Sequence, residues 1–368
     1  MRICMLTSSH SIFDNRIYYK EILSLKKKYD EIYLVAPGDK DFVTDEGIVV
    51  KCFSKRSTWH DRLRPMREMT KIGLSIKADV YHGHEPDSFQ VALRIKYKLG
   101  SKAIYDSHEY HPEAFSEHFK FGRKLFEKII YYYEKRIAKK ADFIITVNEL
   151  LIAKFNKYNK NTALVPNYPV LKDVKTEKLY GEKPTFIYVG GLREDRGILK
   201  ILEAIECVES DNRYVFVGRV EDNIFYEKIQ AFIKSKLSNA DITFTGNIPH
   251  IEVFEFLKMA DAGFVLLQPT NWRYMNAEPI KLFEYMISET AVIASDFPIM
   301  KKIIEGADCG YTIEPNDIKK IARTIDKISM DREKAKEMGK RGLEKVKAKY
   351  NWGVVEKELY RVYDRIIV

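Results

Sequence analysis

The chain alternates, twice over, between short runs of β-branched and aromatic residues and longer segments whose apolar residues recur at helical spacing. Few folds accept that rhythm. The first series has strand signals at 2–6 (RICML), 31–36 (EIYLVA), 79–82, 102–105 and 142–147, with a helical segment at 15–28 that repeats Ile17, Ile22 and Leu25. The second reads TFIYV (185–189), YVFVG (214–218), ITFTG (242–246), AGFVLL (262–267), AVIAS (291–295) and GYTIE (310–314). Parallel neighbours need a crossover, and the crossover helix packs back on the sheet, so this order predicts parallel sheets covered on both faces. The expected class is α/β, with two Rossmann-like domains. Val165-Pro166-Asn167-Tyr168-Pro169 and a charged stretch at 172–183 break the rhythm and mark the joint. The expected domains are therefore 1–167 and 168–350. The tail from 331 is helical and strongly charged, and its last part, 351–368, is expected to pack back on the N-terminal domain. A length of 368 residues allows each domain its own core.

Composition narrows the class of function. No apolar run approaches the ~20 residues needed to cross a bilayer. The opening apolar stretch turns polar at Thr7-Ser8-Ser9, too early for a signal-peptide core. Cys4, Cys52, Cys207 and Cys309 stand far apart, which suits neither a zinc site nor a disulfide framework and fits free thiols in a cytoplasmic protein. The formal charge is +9, from 62 Lys+Arg against 53 Asp+Glu, and favours an anionic partner. The basic residues are scattered among acids and form no known nucleic-acid module, so nucleic acid is not expected.

Open α/β sheets place ligands at the carboxyl ends of their strands. If the two sets of ends face each other, one cleft holds two substrates. Four groups of residues lie at such ends. In Tyr188-Val189-Gly190-Gly191-Leu192-Arg193-Glu194-Asp195-Arg196-Gly197 a strand runs into a double glycine, two arginines and a helix start. Glycines let backbone N–H groups approach a phosphate, and Arg193 or Arg196 could pair with a diphosphate. An ordinary tight turn with surface arginines reads the same way. In Glu278-Pro279-Ile280-Lys281-Leu282-Phe283-Glu284, the proline opens a helix that sets Lys281 and Glu284 on one face. They could serve a phosphate and a ribose, or form one surface ion pair. His82, His84, His108, His111 and His118 crowd the first half, with Asp106 and Glu109 beside them. Strand-end histidines and acids can line a cleft and hydrogen-bond a sugar. His-x-His also ligates zinc, although His82-Gly83-His84-Glu85-Pro86-Asp87 breaks the pattern of binuclear hydrolases. Finally, Asp14 of Asp14-Asn15-Arg16 suits a helix N-cap, whereas Arg16 opposes the helix dipole there and could be kept for an acceptor.

Together these blocks resemble glycosyltransferase family 4, whose GT-B fold sets two Rossmann-like domains facing across a cleft. The resemblance runs nearly end to end. It takes in Asp14-x-Arg16, His82-x-His84, Tyr105-Asp106-Ser107-His108-Glu109, DFIITVNE (142–149), Val165-Pro166-Asn167, Gly190-Gly191 and Phe244-Thr245-Gly246. Its most specific part is Pro279-x-Lys281-Leu282-Phe283-Glu284-Tyr285-Met286 followed by AVIAS. The resemblance implies a nucleotide diphosphate-sugar co-substrate, UDP- or GDP-linked, on the C-terminal domain, with no cofactor and no metal. Arg196 and Lys281 would meet the diphosphate and Glu284 the ribose. Gly190, Gly191, Arg193, Pro279 and Ile280 would frame the donor, and Gly246, Asn247 and Ile248 the base. His108 would stand beside the transferred sugar, with Asp14, Arg16, His84 and Glu109 on the acceptor side. Transfer would retain configuration. Asn276 stands where the family often has a second glutamate, and Gly191 where it often has arginine.

A nucleotide-sugar 2-epimerase shares this fold, and a catalytically silent nucleotide-sugar-binding subunit is a second alternative. The acceptor implied is a glycan or a polyprenyl-linked sugar, in bacterial surface polysaccharide or glycoconjugate synthesis. Basic and aromatic residues interleave at 51–71, with Phe53, Trp59, Leu63 and Met66, and again at 115–140. Both suit an anionic membrane surface, which would make the protein peripheral on the inner face; both also suit amphipathic helices over a core.

Overall fold

The structure, a computed structural model, describes residues 1–56, 58, 61–116, 119, 121–171 and 178–367. Trp59, His118 and part of the charged stretch at 172–183 lie outside them. Two compact units result: Met1–Val170 together with Trp352–Val368, and Leu171–Asn351.

The first unit holds eight strands: β1 (Arg2–Thr7), β2 (Glu31–Pro37), β3 (Phe42–Val43), β4 (Val49–Phe53), β5 (Val80–His84), β6 (Lys102–Ser107), β7 (Phe143–Thr146) and β8 (Thr162–Leu164). Their spatial order is β3-β4-β2-β1-β5-β6-β7-β8. All pairs are parallel except β3 with β4. Both faces are covered, so successive residues of a strand enter different cores. Ile3 and Met5 pack with Ile17, Ile22, Leu359 and Tyr363, whereas Cys4 and Leu6 pack with Met69, Phe89 and Ile95. The helix Trp352–Ile367 thus completes one face of this unit. The helical stretch expected at 15–28 is shorter and begins as a π-helical turn, Ile17–Ile22, before Leu23–Lys26.

The second unit has β9 (Thr185–Val189), β10 (Arg213–Val217), β11 (Asp241–Gly246), β12 (Ala262–Val265), β13 (Ala291–Ser295) and β14 (Gly310–Ile313), in the order β11-β10-β9-β12-β13-β14. This is the doubly wound dinucleotide-fold order, all parallel. The strand order reverses between β9 and β12. In the first unit it reverses between β1 and β5. A ligand crevice is expected at those two places, and the unusual residues gather there.

Candidate active site

In the second unit, β9 ends at Gly190 with φ +125°, a backbone that a side chain rarely adopts. A Cβ there would stand 3.0 Å from the Lys281 ammonium. That ammonium lies 4.0 Å from the centre of the Tyr188 ring, a cation–π distance. Lys281 opens the helix Ile280–Ile287, where Leu282, Phe283, Tyr285 and Met286 take the buried face and leave Lys281 and Glu284 on the other. Burial pushes the Lys281 amine down to about 7; Arg196 adds to the push and Glu284 opposes it. Gly197 follows Arg196 at φ +79°, and a Cβ on it would meet the Leu266 carbonyl at 2.1 Å, so only glycine lets this turn rest on β12. Arg196 stacks over the Tyr274 ring at 4.9 Å. Tyr274 Oη donates to Asp195 at 3.0 Å, and Arg193 pairs with the same carboxylate at 2.9 Å. Beside Arg193 a hollow of about 890 Å³ carries Glu194, Asp195, Glu203, Glu221 and Asp222 against three basic residues. That excess of acid disfavours a diphosphate there, whereas Lys281 and Arg196 set positive charge beside Gly190.

In the first unit, register places His84 beside Asp106 on neighbouring strands β5 and β6. His82 and His84 share a face and stack at 4.5 Å. Glu21 of the π-helical turn and Arg16 just before it close the group. Arg16 hydrogen-bonds Asp106 at 3.1 Å and the Val165 carbonyl at 2.9 Å, and its guanidinium lies 2.9 Å from Glu21 as an ion pair. His108 Nε2 stands 3.1 Å from Asp106 Oδ2. Tyr363, from the C-terminal helix, bonds His82 Nδ1 at 2.8 Å. Burial and Asp106 raise the Glu21 carboxyl well above its ordinary value, against the pull of Arg16. Asp106 goes the other way: burial opposes its charge, but Arg16 and His108 hold it well below the carboxylate range. Burial, with His82, drives His84 down to about 3. Burial thus favours the uncharged forms of Glu21, His82 and His84, while Arg16 favours the charged form of Asp106.

Glu21, His84, Asp106 and His108 bring ligand atoms within 4.8 Å of one another, a spacing a divalent ion could bridge. Arg16 already supplies positive charge to both carboxylates, and a cation there would stand against it. At the rim, His10 lies between Asp14 at 3.2 Å and Glu85 at 3.0 Å. Burial works against its charge, but these two acids raise it to about 10. Glu85, directly after β5, has φ +69°, a strained backbone for a non-glycine residue and one that marks functional positions.

Comparison with known proteins closes the question of family. Residues 171–345 match the family described as "Glycosyl transferases group 1", and residues 18–168 match "Glycosyltransferase Family 4". The chain belongs to glycosyltransferase family 4. It is 21% identical to an uncharacterized glycosyltransferase, MJ1069 of Methanocaldococcus jannaschii, over 70% of this chain and 68% of that one. A teichuronic acid biosynthesis glycosyltransferase, TuaC of Bacillus subtilis, is 26% identical over 49% of this chain and 42% of its own length. Among solved structures, HepE of Anabaena in complex with UDP superposes with a TM-score of 0.77 at 12% identity, covering 99% of this chain and all of that one. That likeness shows a shared fold, GT-B.

Within this glycosyltransferase, Gly190, Arg196, Lys281 and Glu284 come together around the end of β9, with Pro279 directly ahead of the helix and Ile280 exposed. Gly191 accepts Tyr188 Oη at 2.9 Å. Gly246 ends β11 with φ +68° and accepts from Gly218 N–H, with Asn247 exposed and Ile248 half-buried beyond it. His108 and Glu109 follow β6, half-buried. Several expectations need correction. Arg16 and His84 are buried, and Arg16 spends its guanidinium on Asp106 and Glu21, so neither offers a surface to an acceptor. Asp14 caps the Arg16 and Ile17 N–H groups. Arg193 is held by Asp195. The Asn276 amide donates back to the Trp272 carbonyl at 2.8 Å, closing a helical turn. Sequence reasoning missed Glu21, His10, Glu85, Tyr188 and Tyr274 as site residues. Only Glu85 carried a local signal, as the acid closing His82-x-His84.

Proposed function

We propose that this glycosyltransferase moves a hexosyl or N-acetylhexosaminyl group from a UDP- or GDP-linked donor to a glycan or polyprenyl-linked acceptor, with retention and without a metal or other cofactor. The observation that carries the donor half is the Lys281 ammonium under Gly190 and against Tyr188, beside Arg196 and at a helix N-terminus. Positive groups gathered there would stabilise charge developing on a departing diphosphate. Glu284, one turn along, would take the ribose hydroxyls. HepE, solved with UDP and with UDP-glucose, supports a uridine nucleotide. His108 would meet the transferred sugar, and Glu109 the acceptor. No base need serve the acceptor if the leaving phosphate takes its proton on the same face. A role in surface polysaccharide synthesis rests on the likeness to TuaC.

The test is a melting screen with UDP- and GDP-sugars, because a ligand that binds only the native state raises its melting temperature. A true donor should shift it by several degrees at millimolar concentration, and its turnover should need an acceptor. Conversion of the donor alone to an epimer would turn the assignment to an epimerase, and binding without any turnover would turn it to a silent subunit.

A further inference from the structure

The first unit gathers a second group of charges where the chain leaves β1, β4 and β5, beside the place where its strand order reverses. Ser8 follows β1, Arg56 follows β4, and Asp87 lies in the first turn of the helix Glu85–Leu99, which follows β5. Arg56 Nη2 donates to Ser8 Oγ at 2.6 Å and to Asp87 Oδ2 at 3.1 Å. Arg62 approaches the same oxygen, but its Nε stops 3.6 Å away, outside hydrogen-bond range. Two guanidinium groups thus share one carboxylate, which leaves one positive charge over. Glu85, the next acid along the chain, is already taken by His10 at 3.0 Å. Ser8 and Asp87 are buried, and the Nε–H groups of both arginines are buried with no hydrogen-bond partner among the described residues. The Ser88 hydroxyl, fully buried one residue beyond Asp87, is unpaired as well.

Each of these features carries a cost. Buried donors without a partner destabilise the fold. Arg62 also sits at the N-cap of the helix Leu63–Ile76, where a cation opposes the dipole and no side chain caps the free N–H groups. Phe115 backs its guanidinium at 4.3 Å and holds it there. An anion with several oxygens relieves these costs together, because it accepts from both guanidinium groups, cancels the surplus charge and suits the helix start. The planar carboxylate of Asp87 already fails to pair either Nε–H, whereas a tetrahedral phosphoryl group offers more oxygens and more charge. The loop that carries Ser8 continues to His10, whose ring lies 5.6 Å from that of His108, so the arginines border the site described above.

We propose that Arg56 and Arg62 bind a phosphoryl group of the acceptor, in competition with Asp87. This rests on reading the first unit as the acceptor side. The acceptor class is then a sugar carried on a phosphate or diphosphate, as in a polyprenyl diphosphate-linked sugar, and not a neutral glycan.

The test is calorimetric titration of inorganic pyrophosphate into the protein saturated with UDP or GDP, whichever the melting screen retains, so that the donor site is filled. Binding with a Kd of about 1 mM or lower is expected. Arg56→Gln with Arg62→Gln should weaken it at least about tenfold. Asp87→Asn should tighten it about fivefold or more, because it removes the competing charge. An ion pair that only braces the two loops gives no such gain, so unchanged or weaker binding in Asp87→Asn overturns the proposal. So does a wild type that takes up no pyrophosphate, or undiminished binding in the double variant. If the double variant fails to fold, the triple variant with Asp87→Asn removes all three charges together and should bind no pyrophosphate; binding retained there refutes the site. Farnesyl diphosphate and glucose 1-phosphate then compete against pyrophosphate, and the stronger competitor tells a lipid-linked phosphoryl group from that of a free sugar phosphate. Stronger competition by glucuronate than by either would replace phosphoryl with carboxylate and sink the proposal. None of these titrations needs turnover. Pyrophosphate binding without any transfer would remove the proposed reaction and keep this site, whereas transfer to a neutral glycan without pyrophosphate binding would do the reverse.

Discussion

The Lys281 ammonium stands 4.0 Å from the centre of the Tyr188 ring, with Gly190 above it leaving no side chain in the way. Three features of the sequence produce this contact: an aromatic next to the end of a strand, a glycine with φ +125°, and a helix that begins one residue before the lysine, capped by Pro279. An amine held so far from water is poised near neutrality, and its charge depends on what binds.

From that follows a pH dependence with opposite signs for stability and binding. The amine titrates at about 7 in the fold against an ordinary 10.5. Between those values the unfolded chain binds the extra proton, so this group's contribution to stability rises with pH across the window. A diphosphate favours the ammonium. Nucleotide affinity should therefore weaken above pH 7, by up to about tenfold per unit for one coupled proton. Titration calorimetry with UDP or GDP in two buffers of different ionisation heat should show proton uptake at pH 8. Lys281→Arg, which stays charged, should flatten the profile. A profile equally steep in that variant would remove Lys281 from the anion site.

Arg196→Ala and Glu284→Ala should each lower turnover by about 10²-fold or more, the range for losing one group that meets developing charge or fixes the donor. Arg196 stacks on Tyr274 and Glu284 is half-buried on a helix face away from the core, so circular dichroism and melting should change little. Near-native turnover in both purified variants would reject the donor site.

Much of this architecture is legible in the sequence because burial on both faces of a parallel sheet writes continuous apolar runs, and TFIYV and AVIAS become β9 and β13 residue for residue. Short edge strands such as β3 and β8 write no such run, and the lysine and cysteine in β4 interrupt its apolar pattern. The deeper misreading was Arg16. A cation at a helix start opposes the dipole, and that local conflict reads as a ligand site. Its partner is Asp106, 90 positions away, and no local rule reaches that far. The segment 51–71 is divided, with Leu63, Lys55, Arg67 and Lys71 exposed. Phe53 ends β4, Phe53 and Met66 are buried, Arg56 and Arg62 pair with Asp87, and Arg64 pairs with Asp61, so part of its charge is spent inside the unit.

Transfer should survive EDTA. Positive charge at the anion site comes from Lys281 and Arg196, and in the first unit Arg16 occupies the space between Glu21 and Asp106. Activity of protein dialysed against chelator should stay within about twofold of the untreated sample. Loss that Mg²⁺ or Mn²⁺ restores would overturn this.

The other basic and aromatic segment makes a sharper case for a membrane. The helix Arg123–Ala138 leaves Leu125, Ile129 and Tyr132 each more than half exposed at positions one turn apart, with Phe121 bare just before it. Arg123, Lys124, Lys128, Lys135 and Arg136 accompany them against Glu127 and Glu134, and Glu134 is buried on Tyr105 and Lys154. An apolar stripe flanked by cations fits an anionic lipid surface better than a protein groove, since each lysine or arginine near such a surface adds about 1 kcal/mol. No helix among the described residues is long and apolar enough to cross a membrane. The protein should therefore co-sediment with vesicles of phosphatidylcholine and phosphatidylglycerol, less so as salt rises, and poorly with phosphatidylcholine alone. Leu125→Glu with Ile129→Glu should abolish sedimentation and leave the melting temperature unchanged, because neither side chain belongs to the core. Absence of the wild type from both pellets would point to an acceptor taken from solution.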